Sequence, residues 1–150
     1  MRVNGAWLPG EDGETRPIVP GLVQVTNNRW LEVSFLLDAG ADRTVFSARF
    51  LQHLENLQSD IPQILLSGVG GGAESITVET AIAFARDDGQ LVTVRGTYGV
   101  FIKGESADLS ILGRDVTNNF SVIYDYPQQT IALLAAPHSY EIKSPLVAGS

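Results

Sequence analysis

Asp38 is the residue on which chemistry would turn. It closes the apolar run Phe35, Leu36 and Leu37, and Gly40 follows two residues later, where a backbone can turn sharply or approach a ligand closely. Apolar character resumes at Val45 and Phe46. A carboxylate at the end of a buried strand is costly to keep ionised unless its oxygens receive hydrogen bonds or share a proton. The placement marks either a paired structural aspartate or a working acid or base. Asp87 begins another Asp-x-Gly triplet, but Arg86, Asp88 and Gln90 around it are polar, so it reads as a solvated turn residue. His53 has no second histidine or carboxylate at ligand spacing, and no metal role is expected for it. Residues 67–73 satisfy a dinucleotide pattern, with glycines at 68 and 70 and a small residue at 73. That motif needs a helix directly after it to face the pyrophosphate. Ile76, Val78, Thr80, Ile82 and Phe84 follow at period two instead. The glycine-rich stretch is therefore the tip between two strands, either a long exposed turn or a functional flap.

Strands must carry Asp38 to its place. Residues 22–26 and 31–35 alternate apolar and polar, the half-buried strand signature. Asn27 and Asn28 between them can supply the positive φ values of a tight hairpin. Residues 47–57 change period: Phe50, Leu51, Leu54 and Leu57 predict a short amphipathic helix, with Ser47 as its N-cap. Strands are expected at 61–66, 76–85 and 91–102, the last two joined by an Asp-Gly turn. Another, ending on Gly113, precedes a helical turn at 116–120 that Asp115 can cap. Residues 121–126 and 130–134 form a last hairpin. Residues 1–20 hold three prolines and read as an irregular arm. Residues 135–150 read as a tail or an intersubunit arm.

The chain has 150 residues, suited to one domain. Hydrophobic content of 44% with 18% charged residues is globular rather than disordered composition. A net charge of −7 argues against nucleic-acid or anionic-membrane partners, which call for a basic footprint. No apolar run is long enough to span a membrane, and the first ten residues lack a secretory pattern, so the cytoplasm is the default expectation. Zero cysteines excludes disulfides, thiolate metal sites and a cysteine nucleophile.

Three stretches taken in order resemble the retropepsin-like aspartic proteases. They are Leu36-Leu37-Asp38-x-Gly40-Ala41-Asp42-x-Thr44-Val45, Gly68-Val69-Gly70-Gly71, and Ile111-Leu112-Gly113-Arg114-Asp115. The resemblance covers residues 22–134 and leaves 1–20 and 135–150 as arms of a single domain spanning 1–150. It implies an all-β fold, a closed antiparallel barrel with one or two short helices, in an obligate homodimer that hydrolyses peptides without cofactor or metal. Each subunit would give one catalytic aspartate, Asp38. By the same resemblance Ala39, Gly40, Asp42 and Arg114 would support the active-site loop. Arg114 would pair with Asp42 in a bidentate ion pair. Ala41, Asp42, Arg43, Val45 and Ile111 would line the substrate, and Gly68, Val69, Gly70 and Gly71 would form the flap tip. One departure stands out. The family has Thr or Ser after the aspartate, and this chain has Ala39. That hydroxyl holds the two loops together across the dimer axis, so its loss opens the alternative of a weak or silent member that binds peptide or a partner protein.

Overall fold

A hairpin leads to Asp38. The computed structural model describes residues 1–59, 74–104 and 109–141. In it β2 (Thr15–Gln24) and β3 (Trp30–Leu37) pair antiparallel from Ile18↔Leu36 to Gln24↔Trp30. Asn27 and Asn28 turn the chain between them with φ of 65° and 56°, the left-handed region that asparagine tolerates better than most residues. Val33, Phe35 and Leu37 share the inward face of β3 and are all buried. The alternation thus fixes which face of the strand meets the core, and Asp38 leaves it at the barrel's end.

The remaining strands are β1 (Arg2–Pro9), β4 (Val45–Phe46), β5 (Ser75–Ala85), β6 (Leu91–Phe101), β7 (Ser110–Leu112), β8 (Ser121–Asp125) and β9 (Thr130–Leu134). Among the described residues the hydrogen-bonded order is β3-β7-β4-β6-β5-β2, and β2 pairs back onto β3, so six strands close into a barrel. β1, β9 and β8 extend the sheet outward from β2. The barrel is mixed rather than purely antiparallel, because β3 pairs β7, and β4 pairs β6, in parallel. Phe35, Phe46, Phe84, Leu54, Ile82 and Leu112 fill its interior without contact with solvent. The Phe35 ring lies between two others, its centroid 5.8 Å from that of Phe46 and 6.1 Å from that of Phe84. Burying each such side chain contributes about 1.5–3 kcal/mol.

Two expectations need correction. Residues 1–20 are not an irregular arm: they form β1 and the first half of β2, and Val3, Ile18 and Val19 belong to the core. Pro9, Pro17 and Pro20 hid them. A proline removes one backbone donor and leaves extended φ intact, so the strands persist with other donors carrying the ladder. Ser47 precedes a helical stretch as expected, comprising a 3-10 turn, α1 (Leu51–Leu54) and a second 3-10 turn to Leu57. Its hydroxyl makes no cap bond; it is buried without a partner among the described residues. Phe50 and Leu54 face the core as their spacing predicts.

Tyr98 of β6 is nearly buried, packs edge-on against Phe46 at 5.9 Å and donates its hydroxyl to the Val94 carbonyl at 2.9 Å. Burial first, and then the negative charge of Asp115, push its pKa well above the ordinary tyrosine value. The folded state therefore binds this proton more tightly than the unfolded state. The resulting stability is fully present below about pH 10, the unfolded value, and is lost as pH rises beyond it. Urea midpoints measured from pH 8 to 11.5 are expected to fall steeply above pH 10 in the wild type, and less steeply in Tyr98→Phe.

Candidate active site

The loop from Asp38 to Thr44 is pinned from one side by the segment that follows β7. The Asp38 amide donates to the Leu112 carbonyl at 3.1 Å, and the Ala41 amide donates back to the Asp38 carbonyl at 3.1 Å. The Arg114 amide reaches the Ala41 carbonyl at 2.9 Å, and the Asp115 amide the Asp42 carbonyl at 3.3 Å. Gly113 permits this approach. A Cβ there would stand 2.5–2.9 Å from the backbone atoms of Arg43, closer than any side chain tolerates without displacing the loop.

Side chains finish the clasp. Arg114 starts α2 (Arg114–Thr117). Its guanidinium does not make the expected bidentate fork on one carboxylate. One nitrogen pairs with Asp42 Oδ1 and the other donates to the Ala39 carbonyl at 3.0 Å. Both partners of this ion pair are exposed, so it contributes under about 1 kcal/mol to stability. Its effect is positional, since one planar group spans the loop from residue 39 to residue 42. Asp115 does not cap the helix; Gly113 holds the N-cap position. The Asp115 carboxylate instead accepts the Thr44 amide at 3.0 Å and the Thr44 hydroxyl at 2.7 Å. That hydroxyl in turn accepts the Gly113 amide at 3.0 Å. Thr44 is completely buried, so this relay satisfies donors that water cannot reach. Sequence reading missed the Thr44–Asp115 relay. The available signal was a threonine between an exposed loop and the apolar pair Val45-Phe46.

Asp38 itself is half-buried at the loop's start. Its Oδ1 accepts the Gly40 amide at 3.0 Å, and among the described residues Oδ2 accepts no hydrogen bond. A carboxylate with one oxygen held by a backbone donor and the other unengaged is oriented and still available to a reacting partner. Ala39 and Gly40 are exposed beside it, and Ala41 is half-buried. Asp42 and Arg43 are exposed, and Ile111 is half-buried in β7 opposite Leu36. Val45 does not share this surface. It is 4% exposed in β4, where it pairs with Gly99 and Ile111, and within the protomer it is a core residue. Gly68, Val69, Gly70 and Gly71, the expected flap tip, lie outside the described residues. No group of His, Cys, Asp and Glu able to hold a metal ion occurs among the described residues. None of the helices described is long and apolar enough to cross a membrane.

No protein-family model matches the sequence, and no curated protein does either. Solved structures do. A retropepsin-like aspartic protease from Rickettsia conorii superposes with a TM-score of 0.54 at 14% identity, over 89% of this chain and 90% of that one. EIAV protease complexed with the inhibitor HBY-793 aligns over 73% of this chain and 91% of that one, at 23% identity and a TM-score of 0.45. The first likeness extends over nearly the whole of both chains: this chain has the retropepsin-like fold.

Proposed function

We propose that the protein is a homodimeric aspartic endopeptidase in which Asp38 of two copies forms the catalytic pair. The observation that carries this reading is the state of Asp38: one oxygen fixed by the Gly40 amide, on a loop clasped by Arg114, Thr44 and Asp115. Peptide hydrolysis by this route needs a base to activate water and an acid to protonate the carbonyl oxygen. As in paired-aspartate enzymes generally, two carboxyl groups about 3 Å apart share one proton and supply both roles. The sequence offers one aspartate in this setting, so the second must come from a symmetry-related copy. The two titrations would then belong to the pair and not to either residue.

Sedimentation over a concentration series, with cleavage of an unfolded protein from pH 3 to 7, tests the proposal. A dimer whose cleavage is bell-shaped in pH and blocked by a statine-type inhibitor is the expected result. A monomer at every concentration at which cleavage is seen would sink it. Ala39 makes a second expectation specific. Ala39→Thr places a hydroxyl on each loop, and two neutral hydrogen bonds at about 0.5–1.5 kcal/mol each lower the dimer dissociation constant by about 5- to 150-fold. Turnover at low protein concentration rises accordingly. An unchanged dissociation constant would show that position 39 does not meet its mate.

A further inference from the structure

Beside the Asp38 loop lies a cleft of about 560 Å³ whose lining includes Arg43, Arg95, Gly96, Tyr98, Asp115 and Asn119. Its two arginines belong to those that form no ion pair among the described residues. Arg16, Arg86 and Arg114 each pair with an aspartate. Arg43 is exposed and, among the described residues, meets neither a carboxylate nor a hydrogen-bond acceptor. Among the described residues Arg95 donates only to the neutral side chain of Gln24, at 3.2 Å. Asp115 is the one carboxylate among the described lining residues, and its oxygens are already engaged by Thr44. Two uncompensated guanidinium groups thus border a concavity in a chain of net charge −7.

Position adds a direction. Arg43 follows Asp38 by five residues, so their backbones are at most about 18 Å apart, the length of about five residues of extended peptide. The Arg43 backbone is held against Gly113, where a Cβ would stand 2.5–2.9 Å from it. On the β6 wall the Tyr98 ring lies over Gly96, 3.1 Å from where a Cβ would stand. Guanidinium groups recognise carboxylates through charge-assisted hydrogen bonds.

We infer that this cleft receives the carboxylate side chain of an Asp or Glu in a bound peptide, within about five residues of the bond at Asp38, held by Arg43 and Arg95. The reference to a scissile bond rests on the peptidase reading; recognition of an acidic side chain does not.

Two arms of one experiment separate them. In the first, immobilised Asp38→Asn protein is presented with a randomised decapeptide library at pH 6.5, and the retained peptides are sequenced. Enrichment of Asp and Glu by about tenfold at one position, the value of a charge-assisted bond, is expected. It should be lost on adding Arg43→Gln and Arg95→Gln, and turned towards Lys and Arg by adding Arg43→Glu. Retention without acidic enrichment, or equal displacement of all peptides by inorganic phosphate, overturns the inference. In the second arm the wild type cleaves the same library. Cleavage without an acidic preference also overturns the inference and leaves the peptidase reading standing. Acidic enrichment among retained peptides with no cleavage by the wild type supports the cleft and removes the peptidase reading.

Discussion

Asp38→Asn is expected to abolish peptide hydrolysis while leaving the barrel intact. The amide is the same size as the carboxyl group, and its oxygen can still accept the Gly40 amide that Asp38 Oδ1 accepts at 3.0 Å. What it cannot do is share a proton with a facing carboxyl group. Loss of general acid–base action removes about 10²–10⁴-fold in rate, and the thermal midpoint should stay within about 4 °C of the wild type, as for a change under 1 kcal/mol. Mixing gives the sharper reading. If wild type and Asp38→Asn are unfolded together in equal amounts and refolded, random pairing leaves about a quarter of the dimers with two aspartates. Specific activity per total protein should then be a quarter of the wild-type value. A value of one half would mean that each chain works alone, and the pair of Asp38 residues would have to be abandoned.

Gly113→Ala should be the most damaging single methyl group in the described part of the chain. The added Cβ would stand 2.5, 2.6 and 2.9 Å from the carbonyl carbon, oxygen and amide nitrogen of Arg43. These are backbone atoms, so no rotamer change relieves the clash. Either the Asp38–Thr44 loop moves away or the segment carrying Arg114 does. Overpacking of this kind costs about 1–3 kcal/mol. Displacement also lengthens the bond from the Gly113 amide to the buried Thr44 hydroxyl, 3.0 Å in the wild type, and leaves a donor short of its acceptor at about 1–3 kcal/mol. Together these should lower the thermal midpoint by about 4–24 °C, at 2–4 °C per kcal/mol for a chain of this size. Activity should fall further than the fraction unfolded accounts for, because the loop that orients Asp38 is what shifts. A melting curve and a rate measured well below the midpoint check both parts.

Much of the barrel was legible because its strands keep period two. Val33, Phe35 and Leu37 announce a buried face, and the asparagine pair announces the turn before them. The helical stretch at Phe50 and Leu54 was equally readable, from a change of period. Residues 1–20 were not, because proline weighs heavily in a local reading while the partners that hold β1 are the distant β9 and the later β2. The hydrogen bonds that shape the Asp38 loop hide for a similar reason. Asp115 has a local role available to it as a helix cap, and nothing nearby in sequence says that it turns instead to Thr44, 71 residues away. The fork of Arg114 is a further case: a neighbouring carboxylate was foreseen, and the Ala39 carbonyl, a backbone acceptor with no signature, was not.

Ring closure at the β3–β7 seam has a bearing on time. Phe35 pairs with Ser110, 75 residues further on, whereas β5 and β6 meet across a five-residue turn and β2 and β3 across a similar one. Contacts between remote segments wait on the entropy of drawing their ends together, so local hairpins assemble ahead of them. The clasp around Asp38 hangs on that same late seam, through Leu112, Gly113 and Arg114. A nascent chain is therefore expected to stay inert until that seam is made. In pulse-labelled refolding, the amides of Asp38 and Arg114 should gain protection after those of β5 and β6.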